Sequence, residues 1–350
     1  MKKSYILIIL IITAVSLNAQ PQGYYNGTAG LTGNALKTAL HNIIKNDNHV
    51  SYSGLWNAYQ QTDKKPGTNY VWDIYSDVPN GTPPYNFTFV TDQCGNYNGE
   101  GDCYNREHLW AQSWTNNDSD EKTDLNHVFP TDGWVNNKRA NYAFGEVGNV
   151  AWTSQNGSKL GSCATAGFTG TVFEPIDEYK GDIARALMYV SVRYYQQDNS
   201  WGTSDMSNKS VIKDWAMTML LRWHEDDPVD EKELNRNNAV YNIQHNRNPF
   251  IDYPEFAEMI WNPTWSIDEA GHSVLVNVWP NPATSTVNLK GENLEAVYMY
   301  NVMGQLILYH DVSDADELSS IDVSGLNSGI YFLNVISHDG GSALKKVVVR

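Results

Sequence analysis

Residues 105–114 read NREHLWAQSW, with Arg106, Glu107 and His108 side by side and Trp110 and Trp114 close behind. A strand buried on one face alternates apolar with polar residues. Three adjacent ionisable side chains are costly unless they pair, coordinate something or stay in water. The stretch is therefore either a solvated strand end or part of a site. What decides is which other polar groups the chain can bring to it.

The chain has 350 residues, long enough for one large domain and a smaller one. It is 41% hydrophobic and 18% charged, with twelve tryptophans, which describes a folded protein with ample core rather than a disordered one. Residues 1–19 have a Lys-Lys start, an apolar run and a small-residue end, the layout of a secretory signal peptide cleaved after Ala19. The apolar run is short for a membrane anchor, and no stable membrane insertion is expected. In an exported chain, three cysteines make one disulfide and one thiol the default. The short loop between Cys94 and Cys103 favours that pair, with Cys163 left over. Zinc has little support, because there is no CxxC.

Residues 20–265 carry most of the helical pattern. In KGDIARALMYVSVRYYQQ, Ile183, Leu187, Val190 and Tyr194 fall on one stripe, predicting an amphipathic helix. VIKDWAMTMLLRWHEDD and EKELNRNNAVYNIQHN predict two more, broken around Pro228. NYVWDIYSDV and YNFTFVTDQ read as strands. From about 275 to 350 the pattern turns to short alternating runs punctuated by Pro, Gly and Asn, which predicts a small β-sandwich. The fold class is α+β: a mixed domain, then an all-β module.

Three further stretches are oddly polar. One holds Asn136, Asn137, Lys138, Arg139 and Asn141; another Glu174, Asp182 and Arg185; a third Arg236, Gln244, Asn246 and Arg247. Singly, each is more often a capped helix or a hydrogen-bonded loop than a site. Together with the opening stretch they supply a set of chemical types. Histidine is the natural general base near neutral pH. A carboxylate and an amide oxygen suit a hard cation such as Mg²⁺, and arginines meet phosphate bidentately. These types fit phosphodiester hydrolysis. Neighbouring residues on a regular strand face opposite sides, so Glu107 and His108 can share one site only if the strand ends or bulges there.

CYNREHLWAQSW followed by DLNHVFPTDGWVNNKRANYAFGEV resembles the endonuclease I family of secreted and periplasmic nucleases, part of the His-Me finger (ββα-metal) group. The resemblance continues through FEPIDEYKGDIARALMYVSVRY and RNNAVYNIQHNRNPF. It implies a ββα-metal finger within the first domain, with His108 as general base and Arg106 beside it on the catalytic side. It implies Glu107 and Asn136 as ligands of Mg²⁺, with Mn²⁺ or Ca²⁺ as alternatives. Lys138, Arg139, Arg185, Arg236 and Arg247 become candidate phosphate contacts, with structural ion pairing weighed equally. His127 departs from the pattern, which usually shows Asn there. The tail resembles type IX secretion sorting domains, on WPNPATSTVNL, YNVMGQLI (with Gly304), LNSGIYFLNV and the closing KKVVVR. That implies the type IX machinery as a partner and a secreted or cell-surface destination.

The net charge is −16, and residues 21–260 alone hold 18 Lys and Arg against 30 Asp and Glu. Such a field opposes tight capture of a polyanion, so a local basic cleft must grip the substrate, weakly and with salt sensitivity. No base-reading module is recognisable, so little sequence specificity is expected. The leading expectation is a monomeric, secreted endonuclease acting on DNA, with RNA as a further substrate. Its competitors are a phosphodiesterase on small substrates and a noncatalytic glycan- or surface-binding protein.

Overall fold

The computed structural model describes residues 20–262, 274–301, 305–312, 318–338 and 341–350. The expected signal peptide, residues 263–265 and Gly304 lie outside the described residues. Helices α1 (Gly33–Ile44) and α2 (Leu55–Thr62) precede the stretch that opened the reading. That stretch is strand β1 (Tyr104–His108), antiparallel to β2 (Val128–Asp132), with Glu107 opposite Phe129 and His108 opposite Val128. No bulge interrupts the pairing. The strand simply ends at His108.

Helix α3 (Gly133–Arg139) follows β2 directly. Asp132 caps it by accepting the backbone N–H of Val135 at 2.8 Å, and its other oxygen accepts from Gly101 at 2.7 Å. A Cβ at position 133 would meet the Tyr97 ring at 2.7 Å, so glycine is what lets the helix start against that ring. The Gly101 loop is tied by the Cys94–Cys103 disulfide, with a Cα separation of 5.9 Å, and Cys163 is free. The Cys103 carbonyl accepts from Gly133, so the disulfide loop braces the helix start.

Strands β3 (Ala143–Phe144), β4 (Val147–Thr153), β5 (Lys159–Cys163) and β6 (Thr171–Glu174) form a sheet in the order β3-β6-β5-β4. Helix α4 (Lys180–Arg193) follows and packs on α1 and on α5 (Asp214–Asp226). The expected stripe lies in the main core, but the helix is not amphipathic: every residue from Gly181 to Arg193 is buried. Its polar residues are accommodated by partners. Asp182 pairs with Lys232 at 2.7 Å, and Arg193 pairs with Asp47 at 2.5 Å. Arg185 makes two bonds to Glu233, at 2.6 and 2.5 Å. A short hairpin, β7 (Ser207–Asn208) with β8 (Val211–Ile212), leads to α5 (Asp214–Asp226) and α6 (Glu231–Gln244), the two expected helices. The shorter α7 (Pro249–Asp252) and α8 (Phe256–Trp261) follow.

Two expected strands are absent. Residues 69–78 and 85–93 contribute only isolated bridges, such as Tyr70 with Thr88. Asp73 takes the backbone N–H of Tyr75 at 2.8 Å and Trp72 donates to the Asp63 carbonyl at 2.7 Å, which bends the first segment into a turn.

The tail is all β. Its strands are β9 (Val276–Trp279), β10 (Thr286–Gly291), β11 (Leu294–Asn301), β12 (Leu306–Asp311), β13 (Leu318–Asp322), β14 (Gly329–Ser337) and β15 (Ser342–Val349). They form antiparallel sheets in the orders β13-β10-β9 and β12-β11-β14-β15. Alternate residues such as Val287, Leu289, Val297, Leu333 and Val347 close on one core, the expected sandwich.

Two substitutions test a helix start and a buried ion pair. Asp132→Ala removes a helix cap, which should cost about 0.5–2 kcal/mol, and also the acceptor of the Gly101 N–H, about 1–3 kcal/mol more. Arg185→Ala leaves Glu233 buried without its cation and should cost about 3–5 kcal/mol. Denaturant unfolding followed by tryptophan fluorescence measures both, since only Trp279 lies in the tail.

Candidate active site

The end of β1, the turn after it and α3 enclose a cavity of about 220 Å³, lined by Arg106, Glu107, His108, Gln112, Ser113, Asn136, Arg139 and Asn141 among others. Volume does not single it out. A polar cleft of about 540 Å³ lies beside Asp47, His49, Asp118 and Arg193, where Arg193 is already committed to Asp47. The smaller cavity is distinguished by its chemistry.

Glu107 is 1% exposed. Its Oε1 accepts from the Tyr75 hydroxyl at 2.8 Å and lies 3.3 Å from Arg139 Nη1, which leaves Oε2 for the cavity. Burial pushes its carboxyl up to about 7, against the opposing pull of Arg139 and Tyr75. Arg139 itself is fully enclosed. It donates to the carbonyls of His108 at 2.8 Å and Leu109 at 2.6 Å, just where the strand ends. This clamp resolves the adjacency of Glu107 and His108: the backbone turns away at once, and both residues reach one cavity.

His108 is held at both ring nitrogens. Nε2 lies 3.0 Å from the Lys122 carbonyl and Nδ1 lies 3.1 Å from Gln112 Nε2. A carbonyl only accepts, so the neutral ring carries its proton on Nε2, and the Nδ1 lone pair receives the Gln112 amide. Burial, then the neighbouring His127, lowers its pKa to about 3, so the ring is neutral at physiological pH. The Tyr52 ring stacks over it at 6.2 Å.

Asn136 projects from α3. Its amide nitrogen donates back to Asn105 Oδ1 at 2.7 Å and to the Arg106 carbonyl at 3.3 Å, which fixes the orientation of the amide and frees its oxygen. Among the described residues no three His, Cys, Asp or Glu side chains group to hold a metal ion. A cation here would need Glu107 Oε2, the Asn136 amide oxygen, and waters or a substrate oxygen. That all-oxygen set fits a hard divalent ion rather than zinc.

The expected cations divide. The Arg106 guanidinium lies 3.7 Å from the Tyr52 ring centre and 4.4 Å from that of Trp56, donates to the Tyr52 carbonyl at 2.9 Å, and borders the cavity. Lys138 sits 5.0 Å from the Trp134 ring centre and does not line the cavity. Arg185, Arg236 and Arg247 do not line it either. They are buried against Glu233, Asp63 and Asp252, respectively. Their expected phosphate contacts give way to ion pairing, because a buried guanidinium needs a carboxylate. Arg139 borders the cavity but gives Nη1 and Nη2 to the strand carbonyls. The sequence reading missed Gln112, Lys122, Tyr52 and Tyr75. Only Gln112, four residues beyond His108, stood in view within the opening stretch.

Residues 32–255 match the family model described as Endonuclease I, and residues 277–350 match the secretion system C-terminal sorting domain. The chain is 37% identical over 257 residues to an extracellular ribonuclease of Bacillus amyloliquefaciens, covering 71% of this chain and 81% of that one. It is 36% identical to an extracellular ribonuclease of Bacillus subtilis, covering 69% and 80%. An Endonuclease-1 of Buchnera aphidicola is 24% identical over 131 residues, covering 37% of this chain and 44% of that one. Nucleases of this family typically depend on a divalent metal. The sorting domain implies the type IX secretion machinery as a partner and a secreted or cell-surface destination. The chain belongs to the endonuclease I family: it is a secreted nuclease.

Proposed function

We propose that the protein is a Mg²⁺-dependent endonuclease that hydrolyses internal phosphodiester bonds of DNA, and of RNA as well, with little sequence specificity. The observation that carries the reading is a neutral His108, its proton on Nε2 and its lone pair on Nδ1, lining one cavity with Glu107 and Asn136. His108 Nδ1 takes a proton from a water that displaces the Gln112 amide; the water oxygen bonds to phosphorus as the P–O bond to the leaving sugar oxygen breaks, and that oxygen takes a proton from solvent. The Lys122 carbonyl then accepts from Nε2–H and keeps the imidazolium aimed. Glu107 and Asn136 would hold the divalent cation, which would supply positive charge against the charge developing on the phosphate and leaving oxygens. Arg106, with Lys122 beside it, contributes to phosphate binding. Lys138 lies on the same helix as Asn136 and extends the basic surface, while Arg139, Arg185, Arg236 and Arg247 hold the fold.

Water as nucleophile makes a ribose 2′-hydroxyl unnecessary, so one site serves both polymers. The two Bacillus relatives named as ribonucleases support RNA as a substrate, and a relative of Aeromonas hydrophila named as an extracellular deoxyribonuclease supports DNA. Every group in the mechanism comes from one chain, so a monomer suffices. The catalytic segment is taken as 20–265 and the sorting domain as 275–350.

His108→Ala should lower kcat about 10²–10⁴-fold, the usual share of general base catalysis, with the Mg²⁺ titration unmoved. Full activity on plasmid in that variant removes His108 from the mechanism. Glu107→Ala and Asn136→Ala should instead shift the Mg²⁺ titration upward. If Asn136→Ala titrates like the parent protein, the cation is held elsewhere.

Acidity gives an independent check. Because burial raises the Glu107 carboxyl to about 7, a proton competes with the cation below that pH. Half-saturating Mg²⁺ should therefore rise as pH falls below about 7 and level off above it. Activity against Mg²⁺ at several pH values measures this. A titration midpoint flat from pH 8 to pH 5 argues against Glu107 as the ligand.

A further inference from the structure

His108 meets protein partners at both ring nitrogens, and they come from two separate turns. Gln112 belongs to the turn Gln112–Trp114, and the Lys122 carbonyl to the turn Glu121–Thr123. Single 3₁₀ turns hold their shape poorly on their own bonds. One buried side chain joins them: Thr115 Oγ1 lies 3.0 Å from Glu121 Oε2 and 3.0 Å from the Gln112 carbonyl. On the other side, His127 Nε2 lies 2.9 Å from the Glu121 carbonyl and 3.3 Å from Glu121 Oε1. Consecutive carbonyls thus anchor two imidazoles, Glu121 for His127 and Lys122 for His108, with the ring centres 6.2 Å apart.

We propose that Glu121, with His127 beneath it, is a positioning residue that sets the Nε2–H tautomer and the aim of His108. This rests on the reading of His108 as the general base. Both residues are completely buried, and Glu121 Oε1 and His127 Nδ1 make no hydrogen bond. An apolar pair of the same volume would avoid that cost, so mere filling of space does not account for them. The Thr115 hydroxyl has one proton and two acceptors at equal distance. A neutral Glu121 resolves the count: its O–H donates to Thr115, and Thr115 donates to the Gln112 carbonyl. Burial pushes the Glu121 carboxyl well above the carboxylate range, in keeping with that arrangement. The chain of bonds runs from the Lys122 turn through Glu121 and Thr115 to Gln112, from one ring nitrogen of His108 to the other. A side chain that controls both contacts controls which nitrogen carries the lone pair.

The test uses full-length protein labelled with ¹⁵N-histidine, without metal, and long-range ¹H–¹⁵N correlation of the imidazoles. Steady-state kinetics on a fluorogenic oligonucleotide with Mg²⁺ accompany it. Parent protein should show His108 as a single Nε2–H tautomer. Glu121→Leu should lose that single tautomer and lower kcat about 10²-fold, as small misplacements of a catalytic group do, with KM unchanged. Glu121→Gln, whose amide replaces the neutral acid, should restore both. If Glu121→Leu does not fold, Thr115→Val interrupts the same chain and should show a smaller change of the same kind. A folded Glu121→Leu or Thr115→Val protein that keeps the single tautomer overturns the proposal, whatever its kcat. Full activity in His108→Ala overturns instead the reading of His108 as base, and leaves the tautomer result to judge the brace alone.

Discussion

The site depends on one buried guanidinium. Arg139 reaches back from α3 to the carbonyls of His108 and Leu109 and lies against the Glu107 carboxylate. These contacts hold the chain where β1 ends at His108 and fix the helix against the strand. They also keep a carboxylate ready inside a space that would otherwise reject it. An isolated charge there would be prohibitively expensive. The Phe144 ring, 4.5 Å from the guanidinium, completes its enclosure. The geometry of β1, β2 and α3 is therefore an electrostatic arrangement as much as a packing one.

The same economy of charge runs through the domain. Arg185, Arg193, Arg236 and Arg247 are all buried against carboxylates. Cations placed in this way tie helices together but lend nothing to a ligand. The long-range field stays acidic, while Arg106 and Lys122 lie against Tyr52 and Lys138 against Trp134 rather than in buried ion pairs. Short-range contacts rather than steering must dominate recognition, and added salt screens even those.

Much of this was legible in the sequence because it is local. The Arg-Glu-His run marks a strand end, and alternation marks the tail strands. The helices α4, α5 and α6 were recognisable from their apolar positions. What alternation and periodicity could not reveal is where a polar residue finds its partner. Arg185 and Arg106 look alike in sequence, and only the fold shows that Glu233 waits for one and two aromatic rings for the other. Residues 69–78 read as a strand because the aromatic-rich pattern is right for one. Asp73 takes the backbone N–H that a sheet would have used. Position 127 was visible as a departure without a purpose until its contact with the Glu121 carbonyl was known.

The loop closed by Cys94 and Cys103 touches α3 at its first residue and, through Gly101, at the cap. Thiols of a reducing cytoplasm remain unlinked, whereas an exported chain meets oxidising conditions. The brace at the start of α3 is thus completed by leaving the cell's interior. A nuclease capable of attacking its maker's own nucleic acid gains its last covalent restraint only on the far side of a membrane, so compartment and conformation are coupled by a single bond.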